Sequence, residues 1–326
     1  MDQMQKSFEG LMDQHSQPHD EQAASYIFIV GVSRSGTTLM RMTLNASDQI
    51  AICRETHFLG HLIASEGARY KFRKFGELRD DGNVRRLVGY IYSPEFARSS
   101  MYRGVSSQWR WIIKRVEPEV LLERILESDR SERALFSVML QLYAERKGKQ
   151  IAGEKTPAHI RYVPTLMDWF PEGRIIHMLR DPRAIFISEL RRRTKEAVSS
   201  APYKQLKRFR PLFQLFILLQ TTWAWFESVQ RYRRYQRRYP AKYFLLKFED
   251  LVRDPEGQIK QVCDFLGVDF QNAMLEQVVV SQGFGLGQSG FDAKAADRWR
   301  DYISPWINAW FRFWLRGPLK QFGYIS

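Results

Sequence analysis

The stretch from Tyr26 to Met40, YIFIVGVSRSGTTLM, limits the fold more than any other part of the chain. A short apolar run, two glycines five positions apart and a pair of threonines read as a buried strand, a tight loop and the first turn of a helix. Such a loop turns backbone N–H groups and a helix N-terminus toward one point, which makes it a nest for phosphate. Gly31 and Gly36 have the spacing of G-x-x-x-x-G-K-[ST], but Thr37 stands in the lysine slot and the loop's cation, Arg34, lies three residues earlier. Ser35 and Gly36 complete the cradle, Thr37 and Thr38 add hydroxyl donors, and Arg34 can fork onto two anionic oxygens.

Four further short runs, at residues 50–53, 150–152, 174–179 and 243–248, are separated by helical patterns. The expected class is therefore α/β, a P-loop-like three-layer domain with a mainly parallel five-stranded sheet flanked by helices. Asp181-Pro182 and Asp254-Pro255 each offer an N-cap followed by proline at the first helical position, and Gly267 closes the second of these helices. No linker interrupts the 326 residues, so residues 26–326 are expected to form one domain behind a polar tail over 1–25. In that tail Met4, Phe8, Leu11 and Met12 share a helical face. Residues 59–148 read as a helical, basic cap beside the sheet, and residues 191–211 as an irregular basic lid.

The formal charge of +14 favours anionic ligands, whether nucleotide, nucleic acid, anionic lipid or an acidic acceptor, without choosing among them. Two cysteines, Cys53 and Cys263, are too few for a disulfide framework or a four-thiolate metal site, so a reducing, cytoplasmic setting is expected. The first twenty-odd residues lack a basic n-region and an apolar h-region, and no secretory signal is expected. The most apolar stretch, LFQLFILLQTTWAWF from Leu212 to Phe226, falls short of the roughly 20 apolar residues that a bilayer span needs. It reads as a buried helix in preference to one lying on a membrane surface. Tyr232, Tyr235 and Tyr239 recur at helical spacing between arginines, which suggests an inward aromatic stripe and a solvated basic face; stacking on nucleic acid is the lesser reading, and no nucleic-acid partner is expected.

Ligands of open parallel sheets bind at the carboxyl ends of strands, so the residues just past each strand carry the most information. The second strand exits into CRETHF, where Glu55 or His57 can act as a general base. A polar turn at the sheet edge explains that segment equally well when it is taken alone. His57 and His61 are four apart, but no third ligand accompanies them and no metal site is expected. The third exit, GEKTPAH, supplies Lys155, and the fourth, LRDPRAIFIS, supplies Arg180 and, about two turns into the next helix, Ser188. An arginine and a hydroxyl there can grip a second, separate phosphate. Near the C-terminus, GLGQSGFDAKAADRWRDYISP reads either as a loop closing over an anion or base, through Lys294, Arg298 and Trp299, or as a plain connector.

Taken together these motifs resemble the sulfotransferases that use 3′-phosphoadenosine 5′-phosphosulfate. GVSRSGTTLMR resembles their 5′-phosphosulfate loop and MLRDPRAIFIS their 3′-phosphate strand and helix, while EKTP, FEDLVRDPEGQIKQVCDFLGV and DRWRDYISP are similar to later landmarks in the same order. Arginine in the first loop and glutamate after the second strand are closest in style to the tyrosylprotein branch, although Ser33 and Phe248 depart from residues common among relatives. The resemblance implies that Glu55 is the base and that Lys155 and Arg34 are the transition-state cations. It implies that Arg180 and Ser188 clamp the 3′-phosphate, and, on a looser alignment, that Lys294, Arg298 and Trp299 close over the nucleotide. It also puts the 59–148 segment on the acceptor side. The acceptor itself is open among peptide tyrosine, carbohydrate, glycolipid and small phenol or alcohol, acidic or lipid-linked, and a homodimer is compatible with the sequence.

Sulfuryl transfer builds negative charge on the bridging and leaving oxygens, which calls for cations at the bridge and has no γ-phosphate and Mg²⁺ pair for a loop lysine to serve. The rival reading is a P-loop kinase or NTPase with Asp181 or Asp250 holding Mg²⁺, and its missing loop lysine counts against it.

Overall fold

The computed structural model describes residues 26–61, 64–99, 107–195, 206–276, 278–279 and 288–326, so the expected tail over 1–25 and the middle of the expected lid lie outside the described residues. Five strands, β1 (Tyr26–Gly31), β2 (Ile50–Cys53), β3 (Ile151–Lys155), β4 (Arg174–Leu179) and β5 (Tyr243–Lys247), form one sheet in the order β2-β3-β1-β4-β5. Every neighbouring pair is parallel. The principal helices are α1 (Thr37–Asn45), α2 (Asp81–Ile91), α3 (Glu132–Glu145), α4 (Pro182–Lys195), α5 (Arg210–Arg238), α6 (Pro255–Leu266) and α7 (Pro305–Trp314).

Helices cover both faces of the sheet, which is why β1 and β2 read as continuous apolar runs instead of alternating ones. Because successive strand residues point to opposite faces, Phe28 and Val30 face Leu87 of α2 and Phe136 of α3, whereas Ile27 and Ile29 face Met40 of α1 and Val262 of α6. The 59–148 segment is mostly helical over its described residues. It shares one core with β1 and β2, so it is a layer of the domain as well as a neighbour of its edge.

Two expectations need correction. The third strand runs to Lys155 instead of ending at Ala152. Gly153 fits there because a Cβ would come within 2.2 Å of the Ile27 carbonyl, and Glu154, fully buried, has its carboxylate satisfied by neighbouring hydroxyls and N–H groups. The apolar run from Leu212 to Phe226 is part of the 29-residue α5, and only one of its faces is buried, through Phe213, Ile217, Leu218 and Trp225. Further along the same helix Tyr235 is buried, and Tyr232 and, just past the helix end, Tyr239 are half-buried against the core. Among the described residues no helix is long and apolar enough to cross a membrane.

Candidate active site

All five strands end at one edge, and β1 stands in the middle with β3 on one flank and β4 on the other. The loop after β1 is therefore central. Gly31 cannot carry a side chain, since its Cβ would lie 2.5 Å from the Met178 carbonyl of β4. Gly36 caps α1 with φ 96° and no side-chain bond to the first helical N–H groups, which stay turned toward the loop. Arg34, a residue with a side chain, nonetheless adopts φ 73°, a conformation that costs about 1–3 kcal/mol and persists where the surroundings enforce it. They do so here through the helix that follows β4. Arg34 Nε donates to Ser188 Oγ at 2.9 Å, and Ser33 Oγ donates to Glu189 Oε1 at 3.0 Å.

Arg180, the first residue after β4, binds the loop from beneath. Its Nη1 donates to the Arg34 carbonyl and its Nη2 to the Ala295 carbonyl, both at 3.1 Å, and its guanidinium lies 4.0 Å from the centre of the Phe248 ring. No carboxylate pairs with it among the described residues, and burial lowers its pKa to about 10. Two buried polar atoms at this place have no hydrogen-bond partner among the described residues, Ser35 Oγ and Arg180 Nε. A buried donor left unmade is costly, so both are suited to an anionic ligand with several acceptor oxygens. Thr37 is buried and Thr38 exposed at the head of α1.

On the other flank of β1, Glu55 sits two residues beyond β2, fixed by the hydrogen bond from the Gln108 N–H to its carbonyl at 3.0 Å. Its carboxylate accepts from the buried Lys155 Nζ at the end of β3 and lies 3.2 Å from His57 Nε2. Burial pushes this carboxyl up, but the bonds from His57 and Lys155 outweigh it and hold the pKa at about 2. Beneath this pair, on the opposite face of β3, Glu154 accepts from the Thr56 N–H at 2.8 Å and from Thr156 Oγ1 at 2.6 Å, and lies 2.8 Å from His159 Nδ1. These bonds stitch the turn after β2 to β3. The sequence reading singled out Lys155 and passed over Glu154, although strand alternation places the two on opposite sides and gives each a separate job.

The structure thus brings Arg34, Ser35, Gly36, Thr37, Thr38, Arg180 and Ser188 together around one loop, and Glu55 and Lys155 together beside it. The C-terminal group is placed differently. Trp299 is buried in the core under Arg183, whose guanidinium lies 4.3 Å from the ring centre, and Arg298 pairs with Asp292. The Ala295 carbonyl, next to Lys294, accepts from Arg180 of the site. His57 and His61 turn to separate carboxylates, Glu55 and Glu66. The two aspartates that the kinase reading offered as alternatives are each paired with a cation, Asp181 with Arg183 at 2.7 Å and Asp250 with Lys247 at 3.1 Å.

Comparison with known proteins agrees with this geometry. The family model described as Sulfotransferase family matches residues 26–272. The omega-hydroxy-beta-dihydromenaquinone-9 sulfotransferase of Mycobacterium bovis is 26% identical over 269 residues, which are 75% of this chain and 63% of that protein. Carbohydrate sulfotransferase 4 of Mus musculus is 27% identical over 40% of this chain and 35% of its own length. Among solved structures, the sulfotransferase domain from the Synechococcus PCC 7002 olefin synthase superposes with a TM-score of 0.51 at 20% identity, covering 90% of this chain and 93% of that one. The chain spans less than two thirds of the length of the mycobacterial relative.

Proposed function

The chain belongs to the sulfotransferase family, and from that premise we propose that it transfers a sulfuryl group from 3′-phosphoadenosine 5′-phosphosulfate to an acceptor hydroxyl. The observation that carries this reading is the bonding of the two phosphate motifs to each other: Arg180 to the Arg34 carbonyl, and Arg34 to Ser188. A triphosphate site needs only the first motif. A nucleotide bearing phosphates at both 3′ and 5′ positions needs the pair.

The donor, when bound, supplies the electrophilic sulfuryl group and a phosphate leaving group. The N–H groups of residues 34–38, with the Ser35, Thr37 and Thr38 hydroxyls, hold its 5′ end, and Arg180 with Ser188 holds the 3′-phosphate. Arg34 and Lys155 balance charge that grows at the bridge, in a site where burial makes each cation count for more than it does in water. Glu55 accepts the proton of the acceptor hydroxyl. A carboxylate held at about 2 is a weak base, and this follows from Lys155 and His57 both donating to it. When Lys155 turns toward an entering anion, Glu55 loses one of those donors and its proton affinity rises. The pair is then an interlock, in which the base is released only as the cation finds its second partner.

The buried free thiols of Cys53 and Cys263 support a reducing, cytoplasmic setting. The name of the mycobacterial relative records a hydroxylated lipid quinone, and that of the mouse relative a carbohydrate, so both classes belong in an acceptor screen. Thermal-shift titration tests the donor. Stabilisation by adenosine 3′,5′-bisphosphate in the absence of Mg²⁺ is expected; stabilisation only by ATP with Mg²⁺ would overturn the reading in favour of a kinase or NTPase.

A further inference from the structure

Helix α5 is apolar on two opposite faces. One face, as described, enters the core. The other presents Leu212, Leu215, Phe216, Leu219, Trp223 and Phe226 to solvent, and Trp223 is 67% exposed. These positions follow i, i+3, i+4, i+7, i+11 and i+14, a single stripe on a helix of 3.6 residues per turn. A second stripe lies next to it on α7, where Trp306, Trp310 and Phe313 recur at the same spacing and Phe313 is 75% exposed. Trp310 Nε1 donates to Thr222 Oγ1 at 3.1 Å, beside Trp223, so the two stripes are continuous. Single exposed apolar side chains are ordinary; a joined field of Leu, Phe and Trp marks an interaction surface.

The charges around the field identify what it meets. Residues 206–226 and 302–326 together contain six lysines and arginines, Lys207, Arg208, Arg210, Arg312, Arg316 and Lys320, and no aspartate or glutamate. Arg208 and Arg210 flank the start of the α5 stripe, Arg312 and Arg316 lie within and just beyond α7, and all four are exposed. A second copy of the chain docked by two-fold symmetry through this face would set one acid-free basic rim against another. An anionic bilayer supplies both of the missing complements, acyl chains for the aromatic field and headgroup phosphates for the rim.

We propose that the α5–α7 face is a peripheral membrane-docking surface, which lies on anionic lipid with its Trp, Phe and Leu side chains in the headgroup–acyl boundary and its arginines on the phosphates. Because α5 already buries its opposite face in the protein, it brings the domain down as a rigid body. Trp225, on that opposite face, donates its Nε1 to the Arg180 carbonyl at 2.8 Å, so the helix that touches lipid also fixes the exit of β4. The proposal does not depend on the identity of the reaction.

Co-sedimentation of the full chain with vesicles tests it without any assay of activity. Binding to vesicles of mixed phosphatidylglycerol and phosphatidylcholine is expected, with much weaker binding to phosphatidylcholine alone. Combining Trp223→Ser with Phe313→Ser should weaken binding at least about tenfold, given the apolar area withdrawn. Combining Arg312→Gln with Arg316→Gln should remove about tenfold or more of the preference for anionic vesicles. All four side chains are exposed, so unfolding midpoints should match the wild type. Quenching of wild-type tryptophan emission by brominated acyl chains gives a readout that needs no variant. Absence of binding to the anionic vesicles, absence of quenching, or undiminished binding by the folded Trp223/Phe313 variant would overturn the proposal. So would a wild-type dimer that the same variant dissolves while vesicle affinity stays unchanged, since the face would then belong to a second copy.

Discussion

The two flanks of β1 handle positive charge in opposite ways. On the β3 flank, Lys155 is buried against Glu55, so the cation is neutralised inside the protein before any ligand arrives. On the β4 flank, Arg180 is half-buried against two carbonyls and an aromatic ring, with no carboxylate bonded to it among the described residues, and desolvation lowers its pKa to about 10. Holding a guanidinium with no carboxylate bonded to it, Glu249 and Asp181 acting on it only through space, costs stability, and such a group suits an anion from outside. A paired cation is a group that can be exchanged. An unpaired one is a group that waits. On the proposed function, the β4 flank would grip the nucleotide and the β3 flank would carry the chemistry.

The sharpest way to break that division is Glu55→Gln. The amide keeps the size of the side chain and can still accept from Lys155, but it cannot take a proton. A positioned base contributes about 10² to 10⁴ in rate, so turnover is expected to fall by that order. Nucleotide affinity, measured by calorimetry, should hold or rise, because Lys155 loses its competing carboxylate. Turnover that survives the change would move the base to His57, whose Nε2 already faces Glu55.

Arg180→Gln should give the converse result with a smaller effect. A charge-assisted contact of this kind is worth roughly 10- to 100-fold in affinity. That loss should appear for adenosine 3′,5′-bisphosphate and be nearly absent for the analogue without the 3′-phosphate. Equal losses for both ligands would mean that the arginine only supports the loop through the Arg34 carbonyl, and the contrast between the flanks would collapse into a structural one.

Much of this was legible in the sequence because the first loop and the strand exits are local features. The spacing of Gly31 and Gly36 reflects one close approach to Met178 and one left-handed turn, and both demands fall within a few residues of the strand. Glu55, Lys155 and Arg180 could be nominated because parallel strands deliver their exits to one edge. Partnerships across long separations could not be read. Nothing near Glu55 in sequence points to Lys155, a hundred residues on, and the carbonyl of Ala295 carries no side-chain signature. The end of β3 was missed because Glu154 looks unlike a buried residue until Thr56, Thr156 and His159 surround it. The exposed stripe on α5 was hidden for a different reason. A run apolar at nearly every position satisfies both faces of a helix, and composition cannot say that only one is covered.

The flanks should also differ in their response to acid, by a smaller margin. Glu55 is held at about 2 against an ordinary value of 4.5, so the stability it adds is complete above 4.5 and is lost as pH falls toward 2. On the β4 side, His177 is wholly buried between Ser228 Oγ at 2.8 Å and the Tyr243 hydroxyl at 2.9 Å, and burial lowers its pKa from 6.5 to about 3. The folded chain therefore resists protonation that the unfolded chain accepts below 6.5. Stability from this residue is complete above 6.5 and declines toward 3, so the β4 flank begins to weaken two pH units before the β3 flank does. A full proton taken up on unfolding corresponds to about 1.4 kcal/mol per pH unit. Urea unfolding between pH 7 and 5 should show part of that slope in the wild type, and His177→Gln, although less stable throughout, should show a flatter one. Parallel slopes would mean that the imidazole titrates in the folded state, and that the surroundings of His177 are more open to water than its burial implies.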